Sequence, residues 1–272
     1  MSLFKGSGVA LVTPFKDGRI DYDALERLIE WHVESGTDAI ISCGTTGEAS
    51  TLTAVEKLSV IEFTVKKVDR RIPVIAGAGS NDTSHSMYLS KEIQYSGADG
   101  LLVVTPYYNK ATQQGLIRHY NMIADYTDLP IILYSVKSRT GVNIEPDTVK
   151  ELSKHPNIIG IKEASGDISQ IARIASLTSR DFDIYSGNDD QTIPIMSIGG
   201  VGCISTVANI IPADYHQMTT DFLKGRYKSA AKLQLKMVPL IRAVFGEVNP
   251  IPVKAALNMM GYIEKRIPHA NV

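Results

Sequence analysis

Lys162 closes the apolar run Ile158-Ile159-Gly160-Ile161. A lysine in that position has two uses. Its stem can cover apolar surface while its amine reaches water. Alternatively the amine is withdrawn from water, where its charged form is costly unless paired. A neutral lysine amine attacks carbonyl carbon and forms Schiff bases. A second group is the turn Gly44-Thr45-Thr46-Gly47-Glu48. Its two hydroxyls, and glycines that let backbone N–H groups approach a ligand, suit capture of a carboxylate or phosphate. A plain tight turn is the alternative. Tyr107, Tyr108 and Tyr134 can cover the mouth of a site or relay protons beside an imine-forming lysine. The six histidines show no paired spacing, and Cys43 and Cys203 stand far apart. Neither a metal site nor a disulfide framework is expected.

These residues follow short apolar runs at 8–13, 38–42, 74–78, 100–104, 131–134, 158–162, 183–186 and 202–205. Most runs are continuous rather than alternating, as in strands of a parallel sheet covered on both faces. Helical spacing separates them at 23–35, at 53–68 behind a Thr53/Glu56 capping box, at 113–126 and from Pro146 onward. Ser35-Gly36-Thr37-Asp38 and Ser96-Gly97-Ala98-Asp99 repeat one helix-to-strand junction. Such units predict an α/β fold of the (β/α)8 TIM-barrel type over residues 1–225. An open doubly wound sheet fits less well, because the first turn, 13–18, is not glycine-rich. Residues 226–272 read as a C-terminal helical annex, with helices at 226–245 and 252–260. In a barrel of this kind, catalytic groups follow the C-terminal ends of strands. Thr45, Tyr107, Tyr108, Tyr134, Lys162, Gly187 and Ile204 all lie at or just beyond such ends.

The 272 residues carry 28 Lys+Arg against 29 Asp+Glu, a formal charge of −1. Nucleic-acid binders need clustered cations, so that class is disfavoured. The segment 191–213 has no charged residue and is long enough to span a membrane. Pro194, Gly199, Gly200, Gly202 and Pro212 break it, so a helix followed by a buried strand is expected instead. Its glycine turn, 199–202, resembles a phosphate loop but reads better as a helix end. The first residues lack an apolar leader, and a soluble cytoplasmic protein is expected.

Six stretches together resemble the dihydrodipicolinate synthase branch of the pyruvate-dependent, N-acetylneuraminate lyase-like aldolase family. They are 44–48, Val104-Thr-Pro-Tyr-Tyr-Asn109, Leu133-Tyr134 with Arg139-Thr-Gly141, Ile159-Gly-Ile-Lys-Glu-Ala164, Ser186-Gly-Asn-Asp189 and Asn249-Pro-Ile-Pro-Val-Lys254. The likeness covers nearly the whole chain. It implies a Schiff-base lyase that condenses pyruvate with L-aspartate 4-semialdehyde, early in lysine and diaminopimelate biosynthesis, with no metal or organic cofactor. A related aldolase for another aldehyde, or a silent keto-acid-binding paralogue, are the alternatives.

By the same resemblance Lys162 forms the imine, and Thr45 and Thr46 hold the pyruvate carboxylate. Tyr134 carries protons with Thr45 and Tyr108, the latter supplied by a neighbouring subunit. Arg139 binds the semialdehyde carboxylate, and the Gly187 and Ile204 carbonyls line the site. A homo-oligomer is implied, at least a dimer, with a tetramer as a dimer of dimers. Ala49, Ala54, Lys57, Asn81, His85 and Tyr107 match an effector site for free L-lysine, where the Lys57 charge opposes a cationic ligand. Where the family usually reads Tyr-Asn-Val-Pro, this chain has Tyr134-Ser135-Val136-Lys137. A looser loop is therefore expected before Arg139. The C-terminal region is shorter than is usual for the family.

Overall fold

Eight parallel strands close into a barrel in the computed structural model, which describes residues 2–264. They are β1 (Gly6–Ala10), β2 (Ala39–Ser42), β3 (Val74–Gly77), β4 (Gly100–Val104), β5 (Ile131–Ser135), β6 (Ile158–Glu163), β7 (Asp183–Ser186) and β8 (Gly202–Ser205). Each pairs with its successor, and β1 pairs with both β2 and β8. The strands are buried almost throughout, which is why their sequences are continuously apolar. The predicted TIM barrel is the observed fold. Seven strand positions match the predicted runs within a residue. The first lies earlier than predicted, because Gly6 and Ser7 pair with Gly202 and Cys203. The apolar run beyond Ala10 leaves the strand, although the Leu11 N–H still reaches the Ile41 carbonyl at 3.0 Å.

The helices around the barrel are α1 (Tyr22–Glu34), α2 (Ala54–Val68), α3 (Thr83–Ser96), α4 (Gln113–Tyr126), α5 (Lys137–Thr140), α6 (Pro146–Leu152), α7 (Ile168–Leu177), α8 (Thr192–Ser197) and α9 (Pro212–Leu223). The capping box at Thr53 and Glu56 forms as expected. Gly36 and Gly97 take positive φ at the two repeated junctions, the conformation that ends a helix at least cost to glycine. The uncharged stretch 191–213 divides into α8, β8 and the start of α9. Among the described residues no helix is long and apolar enough to cross a membrane. Beyond the barrel lie α10 (Tyr227–Val244) and α11 (Ile251–Met259). Residues 265–272 of the expected annex lie outside the described residues.

The segment after β5 corrects the expectation of a loose loop. Residues Lys137–Thr140 form a helical turn. The N–H groups of Arg139, Thr140 and Gly141 bond back to the carbonyls of Val136, Val136 and Lys137. Ser135 is fully buried, and its hydroxyl accepts the Ile144 N–H at 3.3 Å. These bonds do locally what a proline would do by restricting φ.

Candidate active site

Strand register places the lysine beside a tyrosine. Tyr134 on β5 is the direct partner of Lys162 on β6. The Lys162 Nζ stands 4.4 Å from the centroid of the Tyr134 ring, in cation–π geometry. Lys162 is 6% exposed and Tyr134 also 6%, so both reach the site from a nearly dry wall. Gly187, just past β7, leaves room for the lysine stem. A Cβ there would stand 3.1 Å from Lys162 Cε and 2.7 Å from Ala164 Cβ. Ile204 sits in β8, also buried.

Two buried carboxylates brace this wall. Glu163 follows Lys162 and accepts the Ser165 N–H at 2.7 Å and Gln170 Nε2 at 3.0 Å. Burial pushes its carboxyl up, and these hydrogen bonds pull it back. Asp189 accepts the Ser205 hydroxyl and the Thr206 N–H. Burial raises it too, opposed first by Ser205 and last by the Lys162 charge.

A cavity of about 380 Å³ opens beside Tyr134. Thr45, Arg139, Tyr107 and Tyr108 line it, as do Ala49 and Lys57. Lys162 is not itself a lining residue; it reaches the cavity wall through its contact with Tyr134. Thr46 is buried next to Thr45, with its hydroxyl 3.2 Å from that of Thr206. Tyr108 is 92% exposed and has φ +67°. Of the residues matched to an effector site, Ala49, Lys57 and Tyr107 line this cavity. Asn81, His85 and Ala54 do not line it. The Asn81 carbonyl accepts from Asn109, and the His85 N–H bonds to the Asp82 cap.

In the sequence the stretch 249–254 carries only the family resemblance, with no role for its residues. The structure supplies one. Asn249 Nδ2 donates to Thr46 Oγ1 at 2.9 Å, while its main-chain carbonyl accepts from Arg139 Nη2 at 3.0 Å. One residue therefore touches both groups matched to substrate carboxylates. One turn on, Lys254 Nζ bonds to Glu48 Oε2 at 2.5 Å and to the Thr13 carbonyl at 2.9 Å. Glu48 ends the Gly44–Glu48 turn, so the pair clamps the annex onto the turn that carries Thr45 and Thr46. Burial pushes Glu48 up and Lys254 down, each opposed by the other's charge. The only sequence signal for this contact was a lysine two residues after a proline pair.

The arrangement can do imine chemistry on a small anionic carbonyl compound. The Tyr134 phenol, the Thr45 hydroxyl and the Arg139 guanidinium line one cavity, and the Lys162 amine stands behind that wall against the Tyr134 ring.

Comparison with known proteins agrees. The family model described as Dihydrodipicolinate synthetase family matches residues 3–270. The 4-hydroxy-tetrahydrodipicolinate synthase of Caldicellulosiruptor saccharolyticus is 59% identical over 263 residues, 96% of this chain and 89% of its own length. The crystal structure of dihydrodipicolinate synthase from Thermotoga maritima is similar with a TM-score of 0.98 at 45% identity, covering 100% of this chain and 93% of that one. The chloride-inhibited dihydrodipicolinate synthase of Acinetobacter baumannii, in complex with pyruvate, gives a TM-score of 0.96 at 43% identity, covering 98% and 92%. The chain belongs to the Dihydrodipicolinate synthetase family.

Proposed function

We propose that this chain is a Schiff-base lyase that condenses pyruvate with L-aspartate 4-semialdehyde to 4-hydroxy-tetrahydrodipicolinate, in the cytoplasm. The observation that carries the reading is the register pair Tyr134–Lys162, with the ammonium 4.4 Å from the phenol ring beside the cavity. Lys162 Nζ attacks the keto carbon of pyruvate, and water leaves to give the imine. The imine draws electrons from the methyl group, which loses a proton to form an enamine. The enamine carbon then adds to the aldehyde carbon of the second substrate. Transimination by that substrate's own amine closes the ring and frees Lys162.

Thr45 and Thr46 hold the pyruvate carboxylate, and Arg139 holds that of the semialdehyde. The Gly187 and Ile204 carbonyls line the imine. Tyr134 shuttles protons with Thr45 and with Tyr108 of the partner subunit. The active unit is at least a dimer, and two dimers make a tetramer. Arg139 favours an aldehyde bearing a carboxylate over a neutral sugar aldehyde. Ala49, Lys57 and Tyr107 belong to a regulatory end of the same cavity, with Asn81 and His85 outside it. Free L-lysine is a poor inhibitor there, because Lys57 is buried in the wall rather than turned to solvent.

Borohydride reduction in the presence of pyruvate tests the chemistry. The adduct mass is expected on Lys162 alone, and Lys162→Ala is expected to lose both adduct and turnover of the semialdehyde. An adduct that persists in Lys162→Ala contradicts the assignment. An adduct without turnover on any aldehyde supports the silent-paralogue reading instead.

A further inference from the structure

We propose that Thr206 is a positioning residue for keto-acid binding: its hydroxyl donates to Thr46 Oγ1 and leaves Thr46 with only its own O–H to offer a substrate carboxylate. The proposal rests on the assignment of Thr46 to the carboxylate of pyruvate.

Thr206 follows β8 and is 7% exposed. Its main chain is held from both sides. Its N–H donates to Asp189 Oδ2 at 3.1 Å, and its carbonyl accepts the Asn209 N–H at 3.2 Å and Asn209 Nδ2 at 2.9 Å. Asp189 is fixed in turn. It is 2% exposed, and its carboxylate also accepts the Ser205 hydroxyl. Its main-chain carbonyl accepts from the Tyr215 hydroxyl of α9 at 3.2 Å and from Gln234 Nε2 of α10 at 3.0 Å. The anchor therefore runs from the outer helices to the end of β8. On a fixed backbone a β-branched side chain has few rotamers open to it, so the Thr206 hydroxyl is held as well.

That hydroxyl meets one partner among the described residues, Thr46 Oγ1 at 3.2 Å. The distance alone is compatible with either hydroxyl as donor; the proton count chooses between them. A hydroxyl has one proton and two lone pairs. One lone pair of Thr46 Oγ1 is taken by Asn249 Nδ2 at 2.9 Å. If Thr46 donated to Thr206, the Thr206 proton would be left without an acceptor, and Thr46 would have no donor for a carboxylate. A buried polar group without a partner is costly. With Thr206 as the donor, both lone pairs of Thr46 are filled and its single proton is free for a ligand that only accepts. A carboxylate is such a ligand. An amide, whose nitrogen donates, gains less from this arrangement.

Borohydride trapping of the Lys162 adduct, read by intact mass, gives a half-saturation concentration for pyruvate and for pyruvamide, its neutral amide. Thr206→Val removes the hydroxyl and keeps nearly the same shape. It is expected to raise the pyruvate value about three- to tenfold, the scale of one hydrogen bond, and to leave the pyruvamide value within about twofold. Thr206→Ser keeps the hydroxyl and is expected to return the parent preference. In a Thr46→Val background there is no Thr46 hydroxyl to orient, and Thr206→Val is expected to add nothing. Equal shifts for both ligands, no shift for pyruvate, a shift in Thr206→Ser as large as in Thr206→Val, or a further shift in the Thr46→Val background each overturn the proposal. Thr206→Ala lacks the same hydroxyl and is held to the same outcomes should Thr206→Val not fold. The parent's pyruvate adduct separates the two levels: its absence sinks the proposed function, whereas its presence with an unchanged preference in Thr206→Val sinks only this role.

Discussion

Asn249 shows how a side chain and a main chain of one residue divide two tasks. Its Nδ2 steadies Thr46, while its carbonyl steadies Arg139. Truncation to alanine removes the first bond and leaves the second. Asn249→Ala is therefore expected to raise the KM for pyruvate several-fold, with little change in the KM for the semialdehyde. The scale is one neutral hydrogen bond, about 0.5–1.5 kcal/mol. Steady-state kinetics with each substrate varied in turn decides it; equal rises in both constants mean that the main-chain carbonyl has moved as well. Lys162 was legible in the sequence because a charged residue at the end of a buried apolar run is costly and needs a reason. Asn249 was not, since an asparagine before a proline is ordinary in a turn. Its meaning depends on Thr46, a partner 203 positions away. Only the folded barrel brings the two together.

At the level of elements, legibility followed apolar periodicity. Strands β4, β7 and β8 stand where their runs predict, because a strand buried on both faces writes itself as a continuous apolar segment. Helix α3 shows in the sequence only at its end, the Ser96-Gly97 junction; its body, Thr83–Ser96, is rich in Ser, Tyr and polar residues and buries small serines at Ser86 and Ser90. The turn α5 is too short for any periodicity. Two predictions belong here. The Glu48–Lys254 pair joins the turn after β2 to α11 with side chains 2% and 4% exposed. Glu48→Gln leaves a buried ammonium unpaired and is expected to destabilise by about 3–5 kcal/mol. Glu48→Gln combined with Lys254→Met is expected to cost less than Glu48→Gln alone, as read by urea unfolding. The second concerns His32 of α1, fully buried, with Nδ1 2.9 Å from Thr37 Oγ1 and no partner for Nε2. Burial pushes its pKa down from 6.5 to about 3. The unfolded chain therefore binds a proton that the folded chain refuses between those values. The neutral histidine's contribution is intact above pH 6.5 and falls as pH drops, by up to about 1.4 kcal/mol per unit. A His32→Gln variant lacks this proton linkage. The stability advantage of the parent over it is expected to shrink on acidification from pH 6.5; a gap that stays constant from pH 7 to 5 refutes the linkage.

The whole molecule gathers its chemistry from chain positions far apart: the turn after β2, the ends of β5 to β8, and the annex. Closure of the barrel holds these ends in fixed relation and leaves no open sheet edge. That much follows from eight apolar runs and what comes after each. What no single chain can supply is a second copy, and the proposed proton relay calls for one at Tyr108. Its ring is 92% exposed at the cavity rim, and its backbone sits at φ +67°, a conformation that a bulky residue adopts rarely and at a cost on the order of 1 kcal/mol. Strain spent on holding an aromatic ring in solvent has no use in a monomer. It has one if the ring enters the site of a neighbouring chain and completes the proton relay at Tyr134. Complementation tests this directly. Tyr108→Phe and Tyr134→Phe are each expected to lose roughly 10²–10⁴ in rate, the scale of a missing proton carrier. Mixed under conditions that exchange subunits, half of the dimers formed at random are mixed. In a mixed dimer one site combines its own Tyr134 with Tyr108 of the partner subunit, while the other lacks both. Recovery of about a quarter of the parent activity is therefore expected. If Tyr108 served the cavity of its own chain, every site in the mixture would lack one phenol, and mixing would restore nothing.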